Sequence, residues 1–257
     1  MTAAAGVPPA PSDRAVSFGA VSEQYAQFRP PPPPEVLDVL LPAQASAVVD
    51  VGAGTGNLTA LLVQRVAQVS ALEPDARMRA VLARRVPQAT ILEGAAEQMP
   101  LPDGSQDAVL ASSAWHWVDA RHAVPEAARV LRPGGRLGVV WTSPDREQDW
   151  VVKLWSLMRP DGPALGRERK RRKLRLGADA PFTPSQGPQA VRYTRRFTQA
   201  QLLGLAGTYS GVITLGGQER QAFLRELEDR LTEDDRFADP AGIEVPMVAY
   251  CWHADRL

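Results

Sequence analysis

Residues 48–62 read VVDVGAGTGNLTALL, and this stretch decides the fold. A short run of valines enters a glycine-rich loop, Gly52 to Gly56, and an apolar helical pattern begins near Asn57. Glycine lets the backbone turn tightly and approach a ligand closely, and the first turn of a helix offers unpaired amide groups. The stretch therefore predicts a buried strand, a ligand-binding loop and a helix at the edge of an α/β sheet.

Apolar runs of the same kind recur along the chain after this stretch. Short runs rich in Val and Leu occupy residues 47–52, 68–73, 89–92, 106–112 and 136–142, and amphipathic stretches occupy 57–67, 75–85 and 120–131. Continuous apolar strands separated by helices are typical of a parallel sheet that is covered on both faces. We expect an α/β doubly wound core over residues 35–143, in which the turn Arg132-Pro-Gly-Gly135 ends the last core helix.

The two ends of the chain are less regular than this core. Residues 1–14 are rich in Ala and Pro and predict a disordered tail, whereas residues 15–29 predict a helix that the prolines at 30–34 must end. After the core the pattern predicts, in order, a helix over 144–159, a surface insertion with one basic helix over about 160–190, an extended stretch at 190–197, helices near 199–206 and 217–231, and a last strand over 244–253.

The composition excludes several classes of protein. Lys plus Arg and Asp plus Glu number 29 each, so no net charge attracts nucleic acid or an anionic membrane. No apolar run reaches the roughly 18 residues of a membrane span, and no cationic start is followed by an apolar stretch. One cysteine, Cys251, and three histidines argue against a disulfide framework and a metal site. We expect a cytoplasmic globular protein, and the preference for Arg over Lys fits a GC-rich bacterial genome.

The spacing of the glycines limits the classes of ligand that the loop could bind. A dinucleotide-binding loop has the pattern G-x-G-x-x-G, but its sixth position here is Asn57, which argues against a nicotinamide-dependent oxidoreductase. Asp50 stands two residues before Gly52, where it would repel a pyrophosphate but could hold an ammonium group. Glu73 follows 21 residues after Gly52, and a carboxylate there can accept hydrogen bonds from both hydroxyls of a ribose. A nucleoside cofactor that carries an amino group fits these positions.

Several motifs in order resemble one family. The segments VVDVGAGTGNLT, LEPDARM, EGAAEQMPLPDGSQDAVLASSAWHWVD and EAARVLRPGGRLGVVW resemble the class I S-adenosylmethionine-dependent methyltransferases. Within them the chain looks like a small-molecule branch that includes trans-aconitate methyltransferase-like proteins, best over residues 20–155. The resemblance implies a Rossmann-like sheet of strand order 3-2-1-4-5-7-6 with the last strand antiparallel. It also implies methyl transfer from S-adenosyl-L-methionine to an acceptor, leaving S-adenosyl-L-homocysteine.

The resemblance also implies cofactor contacts at particular residues. The backbone of Gly52 and Gly54 should follow the methionine and ribose, Glu73 should bind the ribose hydroxyls, and Ser112 should approach the methionine. The adenine should lie beside residues that share the rim of the sheet: Pro74, Met78, Ala95 and Ala96. Many members have an acid at the position of Ala95, so backbone groups there or the carboxylate of Glu97 would take over its role.

The segment 15–34 is expected to act as a lid. Tyr25 and Arg29 lie four residues apart, so on a helix they share one face. We hypothesise that Arg29 pairs with the cofactor carboxylate, because its planar fork can bind both oxygens, and that Tyr25 closes over the methionine. The alternative is a solvated arginine beside a packed tyrosine.

The acceptor side is expected at Trp115-His116-Trp117 and in residues 144–257, which should cover it. His116 is a candidate general base, because imidazole titrates near neutral pH, although it could instead contact the cofactor or only pack. Trp115 and Trp141 are expected to line the acceptor pocket, with Tyr209 as a weaker candidate. Four other aromatic and histidine side chains are expected to have structural rather than functional roles: Trp117 and Trp252 in the core, His122 at the surface and His253 in a strand.

Residues 167–175, RERKRRKLR, hold seven basic residues in nine. The run could touch the phosphates of an RNA substrate, steer an anionic small molecule, or form a solvated insertion helix. The neutral charge of the chain and the absence of interleaved aromatic residues favour the solvated helix. We therefore expect a small-molecule acceptor and no nucleic acid or membrane partner. A protein that binds S-adenosylmethionine without transferring its methyl group is the remaining alternative.

Overall fold

The computed structural model describes residues 22–160 and 173–257, and these form one seven-stranded sheet. The strand order is β3-β2-β1-β4-β5-β7-β6. Strands β1 to β5 run parallel, and β7 is antiparallel to both β5 and β6. The expected order and the antiparallel last strand are therefore confirmed. The strands are β1 Ala47–Val51, β2 Gln68–Leu72, β3 Thr90–Leu92, β4 Gln106–Ser112, β5 Leu131–Pro144, β6 Gln186–Phe197 and β7 Ile243–Asp255.

Helices cover both faces of the sheet, as the continuous apolar strands predict. Val48 and Val49 are both fully buried but point to opposite faces, so β1 has no polar side. Val48 packs on the face with α2 and α3, and Val49 packs on the face with α5. The helices are α1 Ser22–Phe28, α2 Val36–Leu40, α3 Thr59–Leu62, α4 Ala76–Arg85, α5 Ala120–Val130, α6 Asp149–Leu157, α7 Gln199–Gly207, α8 Ser210–Ile213 and α9 Gly217–Thr232.

A third apolar cluster lies at the β6–β7 side of the sheet. Residues of α6, α7 and α9 pack there against Phe197 and Met247. Helix α1 joins this cluster through Phe28, whose ring lies so close to Gly204 that a Cβ at that glycine would stand 2.3 Å from Phe28 Cδ1. The N-terminal helix is therefore docked on the C-terminal part of the chain.

Two elements of the core differ from expectation. The helix predicted over 57–67 is reduced to α3, because the residues after it close tighter turns, such as that from Gln64 N to Leu61 O. Arg132-Pro-Gly-Gly135 does not end a helix. Helix α5 already ends at Val130, Leu131 pairs with Gln106, and the pairing resumes only at Arg136 with Ala108. The four residues between form a bulge inside β5, so strand β5 begins earlier than predicted.

The C-terminal third also differs in its boundaries. Strand β5 continues to Pro144, so the helix predicted over 144–159 begins only at α6. Part of the predicted surface insertion is core. Leu174 and Phe182 are buried, and Phe182 forms a β-bridge with Arg256. The tail at 1–14, the segment 15–21, and most of the basic run, 167–172, lie outside the described residues.

Residues 22–160 and 173–257 contain no helix that combines the length and the apolar character needed to cross a bilayer. They also bring together no group of three or more His, Cys, Asp or Glu side chains placed to hold a metal ion.

Candidate active site at the carboxyl ends of the strands

The glycines of the loop after β1 adopt an uncommon backbone conformation. Gly52 and Gly54 have left-handed φ angles of +64° and +58°, which side-chain-bearing residues rarely adopt. Their surroundings differ. A Cβ at Gly52 would stand 2.7 Å from Ala114 Cβ, so this glycine lets the loops after β1 and β4 touch. A Cβ at Gly54 would meet nothing within 4 Å, so the backbone of Gly54 borders open space.

Glu73 links this loop to the start of α4. Its Oε2 accepts a hydrogen bond from Gly54 N at 2.8 Å, and its Oε1 accepts one from Asp75 N at 3.0 Å. The side chain is buried, and burial raises the pKa of Glu73 above its ordinary value, against the two amide hydrogen bonds that lower it. The amides fix the carboxylate beside the loop, while each oxygen keeps a second lone pair that can accept from a ligand hydroxyl.

Asp50 lies beneath the loop on β1 and is only 1% exposed. Its Oδ2 accepts a hydrogen bond from Thr59 Oγ1 at 2.6 Å, whereas its Oδ1 has no hydrogen-bond partner among the residues that the structure describes. Burial raises the pKa of Asp50 to about 7, and the nearby carboxylate of Glu73 contributes to the rise. A buried carboxylate oxygen without a partner is costly, and a cationic ligand group would satisfy it.

The residues expected around the adenine differ in how far they are exposed. Pro74 is exposed after Glu73, and Met78 is buried on α4. Ala95 is half-buried and bridges to Gln98, whereas Ala96 is buried in the core. Glu97, which we considered as a substitute adenine contact, accepts a hydrogen bond from Asp119 N at 2.7 Å and so fastens the loop before α5.

The turn after β4 is strained. Ser112 ends the strand, half-buried, and Ser113 has a φ angle of +54°, an uncommon value for a serine. The amide of Ser113 still donates to the carbonyl oxygen of Val140 at 2.8 Å, so the last pairing with β5 is kept while the chain turns out of the sheet. This turn carries the chain into Trp115–Trp117 at the same edge as the glycine loop.

The three residues Trp115-His116-Trp117 form a 3₁₀ turn and point in different directions. Trp115 is buried in one core cluster with Trp141. His116 is exposed. The expectation that Trp117 belongs to the core is wrong, because its side of the short turn faces outward and leaves the residue 38% exposed. Trp252 is core and His122 is exposed, as predicted.

The lid candidates form a second group with Tyr209. Arg29 follows α1, and its guanidinium lies 5.2 Å from the ring centroid of Tyr25 and 4.6 Å from that of Tyr209. The carbonyl oxygen of Arg29 accepts a hydrogen bond from Asn57 in the glycine loop at 3.0 Å. Tyr209 also accepts a hydrogen bond from Trp155 Nε1 at 3.0 Å. The structure thus groups Tyr209 with Tyr25 and Arg29 rather than with the tryptophan cluster.

Two partners of these groups were missed by the sequence analysis. Thr59 donates to Asp50, and Thr208 accepts from Arg29 through both its hydroxyl and its carbonyl oxygen. Thr59 stands inside the motif that carries the resemblance, and its place in the first turn after the loop was a usable signal. Thr208 stands in no motif.

Comparisons with known proteins agree with this geometry. Residues 49–139 match a family model described as a methyltransferase domain. The chain is 42% identical over 242 residues to an uncharacterized methyltransferase of Mycobacterium tuberculosis, covering 94% of this chain and 96% of that protein. It is 29% identical over 209 residues to an uncharacterized methyltransferase-like protein of Schizosaccharomyces pombe, covering 76% of each.

A solved structure has the same fold. The putative type II methyltransferase of Anaeromyxobacter dehalogenans superposes with a TM-score of 0.63 at 23% identity, covering 89% of this chain and 98% of that one. The sheet, the loop after β1 and the sequence relatives together define a transferase of one-carbon groups. The chain belongs to the class I S-adenosylmethionine-dependent methyltransferases. Membership of the trans-aconitate methyltransferase-like branch stays a prediction.

Proposed function

We propose that this methyltransferase acts on a small-molecule acceptor and methylates an oxygen, that of a carboxylate or a hydroxyl. The observation that carries the proposal is the cover over the tryptophan side of the site. Leu174 and Phe182, from the segment that precedes β6, pack into the cluster that contains Trp115 and Trp141. A site that the chain covers with its own segments suits a small acceptor better than a polymer.

The cofactor implied by the family is S-adenosyl-L-methionine, and the residues present fit it. We infer that the unpartnered Oδ1 of Asp50 receives its ammonium group and that the carboxylate of Glu73 accepts from its ribose hydroxyls. Gly54 borders the open space along which the methionine and ribose would run. Pro74, Met78, Ala95 and Ala96 would flank the adenine, and Gly52 and Ser112 the methionine. When bound, the cofactor supplies an electrophilic methyl group on a sulfonium.

We infer a separate role for each of three segments of the chain. We assign the segment 15–34 to a lid, with Arg29 directed to the cofactor carboxylate and Tyr25 closing over the methionine. Residues 35–143 form the cofactor-binding core, and residues 144–257 cover the acceptor. Trp115 and Trp141 wall the acceptor site, and Tyr209 contributes from the lid side. The protein's task is mainly alignment, because a direct displacement needs the reacting atoms in line.

The test is a product survey. The purified protein is incubated with a bacterial metabolite extract and S-adenosyl-L-methionine that carries an isotope-labelled methyl group. We expect labelled products in the small-molecule fraction, each heavier than its neutral precursor by the mass of the labelled methyl group less one hydrogen. The Glu73→Ala variant, which lacks the carboxylate proposed to bind the cofactor ribose, is the negative control. Label found only in RNA or protein would overturn the small-molecule acceptor.

Cofactor use is tested separately by calorimetry. We expect S-adenosyl-L-homocysteine to bind and NAD to show no heat of binding, because the glycine spacing and Asp50 disfavour a pyrophosphate. Binding without any labelled product would favour the alternative of a protein that binds the cofactor without transfer.

A further inference from the structure

Trp141 donates a hydrogen bond to His116. The distance from the indole Nε1 of Trp141 to the imidazole Nδ1 of His116 is 3.3 Å. An indole nitrogen carries a proton and has no acceptor capacity, so it can only donate. The Nδ1 atom of His116 must therefore be the acceptor in this contact. A neutral imidazole holds one proton on its two nitrogens, and that proton must be on Nε2.

The indole that sets this arrangement is fixed. Trp141 is 1% exposed on β5, in register with Tyr250 of β7. Trp252 packs edge-on against it, with ring centroids 5.3 Å apart and an interplanar angle of 79°. A buried N–H group that cannot reach water needs an acceptor inside the protein. His116, on the 3₁₀ turn after β4, supplies that acceptor while its residue as a whole is exposed at the edge of the site.

We propose that Trp141 is a positioning residue that places the proton of the neutral His116 ring on Nε2, so that His116 donates a hydrogen bond and is not the general base. The part of this that concerns the acceptor rests on the proposed function. Trp141 thus acts through His116 rather than only lining a pocket.

The position of the His116 proton bears on whether the acceptor is a hydroxyl or a carboxylate, because only methylation of a hydroxyl releases a proton. Methylating a hydroxyl oxygen releases a proton that a base must take, and a ring that already carries its proton on Nε2 does not take it there. Methylating a carboxylate releases no proton, because the acceptor is ionised at neutral pH. A donor N–H at the same place would orient such a carboxylate through one of its oxygens. The geometry therefore favours a carboxylate as the acceptor.

The tautomer can be measured directly. Correlation spectra between side-chain protons and ¹⁵N nuclei distinguish protonated from unprotonated imidazole nitrogens, and this chain has three histidines, His116, His122 and His253. The signals of His116 are assigned by their loss in His116→Gln. At a pH about two units above the ordinary histidine pKa of about 6.5, we expect the wild-type ring to carry its proton on Nε2. A proton on Nδ1, or two equal tautomers, would overturn the proposal.

Two variants separate positioning from packing. Trp141→Phe keeps a ring and removes the donor, and we expect a mixture of both His116 tautomers. Trp252→Phe makes the same change in the neighbouring ring of the same cluster, and we expect the Nε2–H tautomer to persist. An unchanged tautomer in Trp141→Phe would contradict the role of Trp141. The wild-type spectrum remains decisive even if Trp141→Phe does not fold.

The consequence for the acceptor has its own experiment. A panel of carboxylic acids is assayed beside the primary alcohols of the same carbon skeletons. We expect methyl esters from acids and no ethers from alcohols. His116→Ala, which removes the donor, should lower ester formation by about tenfold or more, and His116→Gln should restore part of it, since an amide can donate where Nε2–H does. Ether formation that falls by about 10²–10⁴ in His116→Gln would reinstate a general base. Failure of every acceptor would count against the proposed function alone, because the tautomer is measured without turnover.

Discussion

Arg29 and Thr208 are 179 residues apart in the chain and are joined by two hydrogen bonds. Arg29 Nε donates to Thr208 Oγ1 and Arg29 Nη2 donates to the Thr208 carbonyl oxygen, both at 2.9 Å. Because the Arg29 carbonyl oxygen also accepts from Asn57, the end of α1 is held between the glycine loop and the C-terminal part of the chain. Closure of the cofactor site by α1 should therefore depend on residues far away in sequence.

Replacing Thr208 by valine tests this dependence. Thr208 is fully buried. Thr208→Val removes the hydroxyl that accepts from the Arg29 guanidinium, and because valine has nearly the same shape it leaves no cavity. We expect the free energy of unfolding to fall by about 1–3 kcal/mol, the usual loss for a buried hydrogen bond to a charged group, and the affinity for S-adenosyl-L-homocysteine to fall as α1 loosens. Urea unfolding and calorimetry measure the two effects. Thr214→Val, which alters an exposed hydroxyl, should leave both unchanged. Unaltered affinity in Thr208→Val would show that α1 is not a lid.

Glu73 should be a main source of cofactor affinity. Glu73→Gln keeps the shape but turns one end of the carboxylate into an amide NH₂, which would face the backbone N–H of either Gly54 or Asp75. We expect binding of S-adenosyl-L-homocysteine to weaken by about 10–100-fold, equivalent to about 1.5–3 kcal/mol for lost hydrogen bonds to a charged group. Calorimetry measures the affinity, and circular dichroism checks the fold. Glu93→Gln, in an exposed carboxylate nearby, should bind normally. Equal affinity in Glu73→Gln would remove Glu73 from the cofactor site.

The proximity of Asp50, the glycine loop and Glu73 was predictable from sequence because these residues are close in the chain. The positions of Asp50, Gly52 and Gly54 follow from one strand and its loop, and Glu73 directly follows the next strand. In a parallel sheet the carboxyl ends of neighbouring strands meet at one edge, so spacing alone brings these groups together. The strand order, by contrast, came from the resemblance, because periodicity does not say which strands pair.

The parts that sequence reasoning missed depend on contacts between distant residues or on the exact phase of a short turn. Nothing near Thr208 in the sequence indicates that Arg29 would reach it. Trp117 was assigned to the core by its size, but in a three-residue 3₁₀ turn each side chain takes a different direction. The bulge at 132–135 resembles a helix stop, and only its pairing with β4 shows that it belongs to a strand.

The glycines of the loop should separate into a packing position and a ligand position. Gly52→Ala forces alanine into the left-handed region and also adds a Cβ that clashes with Ala114. Gly54→Ala carries only the cost of the left-handed conformation, about 1–2 kcal/mol. We therefore expect Gly52→Ala to lower the free energy of unfolding more than Gly54→Ala does. Gly54→Ala should fold but bind S-adenosyl-L-homocysteine more weakly, because its methyl group enters the open space beside the loop.

Gly104 provides the matched control for that comparison. It has the same φ angle of +58° as Gly54 and also meets nothing within 4 Å, but it precedes β4, away from the loop. Gly104→Ala should therefore lose as much stability as Gly54→Ala in urea unfolding and keep full affinity in calorimetry. Equal affinities in the two variants would mean that the cofactor does not approach Gly54.

Asp50 should make the stability of the protein depend on pH. Its pKa is about 7 in the folded chain against an ordinary value of 3.8, so between these values the folded state holds a proton that the unfolded state has released. The free energy of unfolding therefore falls as pH rises through this window, by at most about 1.4 kcal/mol per pH unit, and the fall ends above pH 7. Stability from this group is thus greatest at low pH, the opposite of a salt-bridged carboxylate.

Asp50→Asn isolates this contribution, because asparagine keeps the shape and an oxygen for Thr59 but does not titrate. We expect the variant and the wild type to have similar stability near pH 4. By pH 7 the variant should be more stable than the wild type by a few kcal/mol, the free energy that corresponds to the difference between the two pKa values. Urea unfolding at pH 4, 5, 6, 7 and 8 measures the difference, which cancels the titration of other groups. Asp38→Asn, at an exposed carboxylate, should follow the wild-type curve. A difference between Asp50→Asn and the wild type that stays constant over this range would mean that Asp50 is ionised throughout, and its oxygen could then hold an ammonium group without first losing a proton.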